Sequence, residues 1–387
     1  MPSGWKYDLI TNICSKIVDG DHNPPVAQKQ ISPYIMLSSK NINEDAITNL
    51  NDVRYLSKAD FDISNNRTKV TKGDVLFTSV GSIGRTCIYD LVVPVAFQRS
   101  VTVMTTYIYN RYFKLFLDSP LYQNYVFENA RGTAQKGFYI NQIENSLIPI
   151  PPYNEQIKIV EITEKLLFFV KKIEEERNNI IENIYRIKSE ILDLAISGKL
   201  VPQNSADEPA IELLRKINPA FKPCDNSHYE KLPERWIKSK FKDIFKTISV
   251  RDYQIQQREI ADKGEYPVIS QSSNYIEGYS NRKDKVLEIN KPVIVFGDHT
   301  RIVKYIDFPF IIGADGVKVI ETNVDAKYAY YLLLRTSTMI ENKGYSRHFQ
   351  FLSKHLYIIP PLAEQKRIVN VLTDIYNLLD EISSQLA

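Results

Sequence analysis

At 387 residues the chain exceeds what one hydrophobic core usually organises, so two or three domains are expected. A content of 43% hydrophobic and 25% charged residues excludes the composition of a disordered chain. No apolar run approaches the roughly 20 residues that cross a bilayer, and Met1 to Asp8 lacks the basic-then-apolar build of a secretory signal, so a cytoplasmic location and no membrane partner are expected.

Cys14, Cys87 and Cys224 are odd in number and far apart, without C-x-x-C or a nearby His pair. They read as reduced structural thiols, and no metal site is expected. The net charge of +3 is unevenly spread: +2 over residues 1–150, −2 over 151–221, +5 over 222–359 and −2 over 360–387. Two basic segments alternate with two acidic ones, the distribution expected if only the basic segments touch a polyanion.

Residues 1–150 mix β-branched runs with turn signals, and Asp74 to Phe77 and Cys87 to Asp90 read as strands, while Trp5 followed by Ile13 to Ile17 finds a weaker counterpart in Trp236 followed by Ile244 to Ile248. A helix-like stretch follows at Asn110 to Asn129. From Asn154 to Ser197 the sequence predicts one long helix, about 65 Å at 1.5 Å per residue, stopped by Gly198. Lys199 to Pro209 reads as a linker and Ala210 to Ile217 as a short amphipathic helix, so that residues 201–229 form a linker segment with one short helix. Residues 230–359 repeat the first pattern, with strands at Pro292 to Phe296 and Gly316 to Ile320 and a helix around Lys327 to Asn342. Residues 360–387 form a second, shorter helix.

The chain is internally duplicated. Pro151-Pro152-Tyr153-Asn154-Glu155-Gln156 recurs as Pro360-Pro361-Leu362-Ala363-Glu364-Gln365, an offset of 209 residues. At the same offset the apolar seam Ile159, Ile162, Leu166, Phe169, Ile173 recurs as Ile368, Val371, Ile375, Leu378, Ile382. Steps of 3 and 4 make each a heptad seam, expected to pair helix with helix. Each di-proline suits the first turn of a helix. The expected architecture is mixed α/β (α+β): two irregular globular domains, 1–150 and 230–359, separated by coiled-coil spacer helices at 151–200 and 360–387, an internal pseudo-twofold repeat.

The chain resembles the specificity subunits of type I restriction-modification systems in Gly4-Trp5, in Lys72 to Gly84, in both Pro-Pro-x-x-Glu-Gln helix starts, in Ser197 to Gln203, in Val295 to Arg301 and in Gly313 to Lys318. The resemblance implies two target-recognition domains, each reading half of a bipartite asymmetric double-stranded DNA site, held apart by antiparallel helices. It further implies two modification (methyltransferase) subunits docked on the helices and restriction (helicase-nuclease) subunits beyond them. S-adenosylmethionine, ATP and magnesium are then expected on those partners, and no cofactor on this chain. The second helix stops well short of the first, so pairing is expected to cover only part of the central one.

No catalytic residue is expected. Ile150-Pro151-Pro152-Tyr153 lacks the Asp or Asn that opens the adenine-methyltransferase motif, and its repeat reads Ile359-Pro360-Pro361-Leu362. Glu364-x-Lys366 is a charged helix face without an acidic partner upstream. Val80 to Gly84 lacks the Gly-Lys-Ser/Thr ending of a phosphate loop and reads as a tight turn between strands. Two alternatives stay open, a single-chain methylation or restriction enzyme and a coiled-coil adaptor that does not bind DNA. For base reading, Arg, Lys, Asn and Gln match groove edges. Candidates in the first domain are Arg131, Gln135, Lys136, Tyr139, Asn141 and Gln142, with Lys69, Arg85 and Arg99 as phosphate contacts. In the second domain they are His299, Arg301, Lys304, Arg347, His348 and Gln350.

Overall fold

The computed structural model describes residues 2–43, 45–132, 136–224, 232–313, 316–341 and 347–386. The chain forms two compact units, residues 1–173 and 174–387. The central helix, Tyr153–Ile196, begins in the first and ends in the second.

In the first unit an antiparallel sheet runs in the order Cys14–Asp19, Val101–Thr106, Val75–Thr78, Thr86–Ile88. Lys6–Leu9 pairs separately with Leu147–Ile150. A three-stranded sheet, Arg54–Tyr55, Ile35–Leu37 and Val95–Phe97, flanks this frame. The strand Val75–Thr78 is buried at all four positions, so it reads as an unbroken apolar run rather than an alternation. The expected helix Asn110 to Asn129 is two helices, Asn110–Asp118 and Pro120–Asn129. Pro120 starts the second, and Ser119 caps it by accepting from the Tyr122 amide at 3.3 Å.

The second unit repeats the frame strand for strand. Its sheet runs Phe245–Ile248, Val317–Thr322, Val293–Gly297, Val303–Ile306, and Ile237–Lys240 pairs with Leu356–Ile359. Here the flanking sheet is larger, built on Phe310–Gly313 with Gln254–Ile255, Tyr266–Ile269, Gly278–Ser280 and Val286–Leu287. The duplication seen in sequence is thus a duplication of topology, and the two copies diverge in the flanking sheet.

The Pro-Pro-x-x-Glu-Gln motif ties each helix start to its own domain. Gln156 Nε2 donates to the Pro151 carbonyl at 2.9 Å while its Oε1 accepts from the Tyr109 amide at 3.0 Å. Gln365 does the same with Pro360, at 2.8 Å, and with the Asp325 amide, at 2.9 Å. Each glutamine satisfies backbone groups that a di-proline and a helix N-terminus leave without partners.

The C-terminal helix, Leu362–Gln385, runs antiparallel to the end of the central one. Gln203 donates to Glu364 at 2.6 Å, Tyr376 Oη donates to the Lys188 carbonyl at 2.8 Å, and Lys188 pairs with Asp380. Ile368 and Leu372 enter one core with Leu192 and Ala195. The expected seam is therefore half realised. Ile368 is buried and Val371 and Ile375 are half-buried, whereas Leu378 and Ile382 are exposed.

On the central helix Ile159 packs against the first domain's core, but Ile162, Leu166, Phe169 and Ile173 are exposed. Leu167, Phe168 and Val170 are exposed beside them. A heptad records that a face is to be covered; it does not say by what.

Burial pushes the thiols of Cys14 and Cys87 up to about 12, which makes both inert packing groups. Among the described residues no group of His, Cys, Asp or Glu is placed to hold a metal ion, and no helix is long and apolar enough to cross a membrane.

Candidate nucleic-acid interface

In each unit several loops meet at one end of the four-stranded sheet. In the first, the Ser79 amide donates to the Ser100 carbonyl at 2.9 Å and the Phe138 amide to Ser79 at 2.8 Å. Arg131 and Gly137 exchange backbone hydrogen bonds at 2.9 and 2.8 Å, and the Arg99 amide donates to Asp21 at 3.0 Å. These bonds gather Ser79, Arg99, Ser100, Arg131, Gly137 and Phe138, distant in sequence, onto one edge.

Of the candidates there, Arg85, Arg99, Arg131, Lys136, Tyr139 and Asn141 are exposed. Gln135 lies outside the described residues. The Gln142 amide is already used: Nε2 donates to the Asn129 carbonyl at 2.7 Å and Oε1 accepts from the Tyr139 amide at 3.1 Å. Lys69 belongs elsewhere. It caps the helix Lys58–Thr68 in a left-handed conformation, and its carbonyl takes the Lys16 ammonium, which also pairs with Asp74. That is the opposite end of the sheet, before Val75 rather than after Thr78.

The turn between Val75–Thr78 and Thr86–Ile88 carries Gly81 and Gly84 at φ of +87° and +89°, a conformation that favours glycine and matches the expected tight turn. Arg85 follows it, and its guanidinium donates to Asn43 Oδ1 and to the Ile42 carbonyl at 3.3 Å. A cleft of about 540 Å³ lies under the turn, lined by Gly81 to Arg85, Asp118, Gln123 and Phe127. Burial raises the Asp118 carboxyl, offset by the Lys114 ammonium beside it.

The second unit opens a larger cleft at the equivalent end, about 1000 Å³. Its wall is built around Asp298, whose amide donates to Gly316 at 2.7 Å, whose carbonyl accepts from the His348 amide at 2.9 Å, and whose carboxylate takes the Phe349 amide at 2.8 Å. His299 and Arg347 line it, as do Arg251, Gln254 and Lys318. The Lys318 ammonium sits 5.8 Å from the centre of the Phe349 ring, which steadies it at the wall.

Three expected readers face inward instead. Lys304 is buried, donating to the carbonyls of Ser270, at 2.9 Å, and Asn274, and burial lowers its ammonium. His348 is buried with Nδ1 2.9 Å from the Asp298 carbonyl. Arg301 is half-buried at φ +64° and donates to the Ile340 carbonyl at 2.7 Å. Residue type marks a polar group, whereas strand phase and loop closure decide which way it points. Gln350 is exposed on the short helix Phe349–Lys354.

Arg251, Gln254 and Lys318 line this cleft but are not among the candidates expected from sequence, although the fork-rich run Arg251 to Arg258 directly after the Ile244 to Ile248 repeat is a signal that points to them.

The model of the type I restriction modification DNA specificity domain matches the chain twice, over residues 28–183 and 233–387. The chain belongs to that family. Among relatives, it is 30% identical to the type I restriction enzyme EcoBI specificity subunit of Escherichia coli over 231 residues, 56% of this chain and 48% of that protein. It is 25% identical to the EcoEI specificity subunit of the same organism over 248 residues, 52% of this chain and 41% of that protein. The matched part thus spans about half, or less, of these relatives' length.

Among solved structures, the HsdS subunit of Thermoanaerobacter tengcongensis matches at a TM-score of 0.54 and 15% identity, covering 100% of this chain and 93% of the other. A chain from a structure concerned with complex assembly and conformational transition of a type I restriction-modification system matches at a TM-score of 0.65 and 14% identity, with coverage of 100% and 93%. Both likenesses are of fold. The family match agrees with the resemblance read from the motifs, and the mixed α/β duplicated frame with a long helix is the expected fold class.

Proposed function

We propose that this chain is the DNA-reading specificity subunit of a type I restriction-modification complex, each domain reading one half of a bipartite asymmetric site in double-stranded DNA. The observation that carries the reading is the repetition of one loop-bearing sheet end in both units, with Arg85, Arg99, Arg131 and Lys136 exposed in one and exposed Arg251 and Arg347 beside half-buried Lys318 in the other. Phosphate neutralisation by such side chains supplies affinity, and forked side chains among them supply base discrimination.

In this reading the chain is non-catalytic and works in the cytoplasm. S-adenosylmethionine, ATP and magnesium are bound by two methyltransferase subunits and by the restriction subunits. The exposed apolar stretch Ile162 to Ile173 is where the helices dock the methyltransferase subunits, since an apolar face of that extent on a helix calls for a covering partner.

The experiment is to incubate the purified chain with duplex DNA, S-adenosylmethionine, ATP and magnesium, with and without the methyltransferase subunits. Methylation is expected only in the complex. Turnover by the chain alone would show an enzyme, and the absence of salt-sensitive binding to duplex DNA would favour an adaptor.

A further inference from the structure

The cleft of the second domain does not end at Gln254. A second cleft of about 510 Å³ shares that residue and continues past Gln256 and Gln257 to Lys285. Ile255 is the buried residue of this strand, packed with Val268, Val286 and Ile311. Its neighbours Gln254 and Gln256 therefore face away from the core, Gln257 opens the short helical turn Gln257–Glu259 that follows, and both Gln256 and Gln257 are exposed.

Their backbone is held by a chain of polar bonds. The Gln256 amide donates to Glu259 Oε2 at 2.8 Å, Glu259 Oε1 accepts from Arg282 Nη1 at 2.7 Å, and Arg282 also grips Asp284 at 2.9 and 2.8 Å. Arg282 is thereby neutralised by two carboxylates and acts as a strut. What the strut presents is two carboxamides on a fixed turn, continuous with a cationic cleft. A carboxamide matches the N6 donor and N7 acceptor of adenine, and a rigid support is what makes such a match selective.

We infer that Gln256 and Gln257 read adenine in the second domain's half-site, at positions beyond those facing Arg347. The inference rests on the DNA-reading function proposed above. Arg251 and Lys318 then lie on the path between the two reading points and hold the phosphate backbone.

The test selects binding sites for the full chain from a randomised duplex library, comparing Gln256→Ala, Gln257→Ala, Gln257→Glu and Arg347→Ala. Thermal melts of each variant establish that the fold is kept. Loss of either carboxamide is expected to relax one or two adenine positions in one half-site by roughly 10- to 100-fold, leaving the other half-site unchanged. Gln257→Glu is expected to move the preference from adenine toward cytosine, because a carboxylate accepts from cytosine N4.

An unchanged motif in all three glutamine variants, with Arg347→Ala still impaired, would overturn the inference and leave the DNA-reading function standing. An equal loss on every sequence would make these residues phosphate contacts, which also overturns it. If the unaltered chain selects no sequence, the function itself fails.

Discussion

Trp5 and Glu155 are joined by an indole-to-carboxylate hydrogen bond, Nε1 to Oε1 at 3.0 Å, and the same bond recurs between Trp236 and Glu364 at 2.9 Å. Each fastens the opening strand of a domain to the first turn of the helix that follows it. The two copies differ in burial: Trp5 and Glu155 are half-buried, whereas Trp236 and Glu364 are buried. Trp236→Phe should therefore lower stability by about 1–3 kcal/mol, because a buried carboxylate loses a donor that water cannot replace, and Trp5→Phe by less than about 1 kcal/mol. Urea unfolding midpoints check the ranking. Equal effects would show that the bond does not owe its strength to burial.

Burial raises the Glu364 carboxyl above its usual 4.5, against the lowering effects of Trp236, Gln203 and Arg367. A carboxyl raised in the folded state holds its proton more tightly there than in the unfolded chain. Its contribution is fully present below the unfolded value and is lost as pH rises through the folded one. Relative to Glu364→Gln, the unaltered chain should lose stability as pH climbs out of the ordinary carboxylate range. The comparison is the difference in unfolding free energy between the two proteins from acid to neutral pH. A flat difference would mean that the carboxyl titrates normally.

The Pro-Pro-x-x-Glu-Gln repeat could be read without a structure because it is local: proline, cap and seam act within a few turns of one helix. What it ties together could not, since Tyr109 and Asp325 meet their glutamines only after the chain has closed. The same limit governs the interface. Arg347 and His348 are neighbours in sequence, yet one is exposed and the other buried, because the amide and ring of His348 are both bonded to the Asp298 carbonyl from a distant part of the chain. Lys69 lies apart from Arg85 and Arg99 for a related reason: charge identifies a surface cation, while only the strand order shows which end of the sheet it occupies.

Lys304 separates a structural role from a functional one. Lys304→Met keeps the packing volume but leaves the Ser270 and Asn274 carbonyls without their donor, so a loss of about 1–3 kcal/mol in stability is expected. The salt dependence of DNA binding should be unchanged. Arg347→Ala should do the reverse, leaving the unfolding midpoint in place and costing about 1–3 kcal/mol of preference in one half-site. A drop in the salt slope for Lys304→Met would return that residue to the interface.

The docking role proposed for the central helix makes an unusual demand on apolar side chains, that they matter for assembly and hardly for folding. Leu166 is 59% exposed and Phe169 48%, so neither is held by the chain's own core. The double variant Leu166→Glu, Phe169→Glu should accordingly stay within about 0.5 kcal/mol of the parent in unfolding free energy. Its helix content should also persist, since glutamate is a good helix former. Association with the methyltransferase subunits should be lost, because burying two carboxylates without partners costs several kcal/mol. Co-purification of the tagged variant with those subunits, beside its circular dichroism and melt, reads both sides. If the complex forms as before, the methyltransferase subunits do not dock on this face; if instead the variant unfolds, these side chains belong to a core.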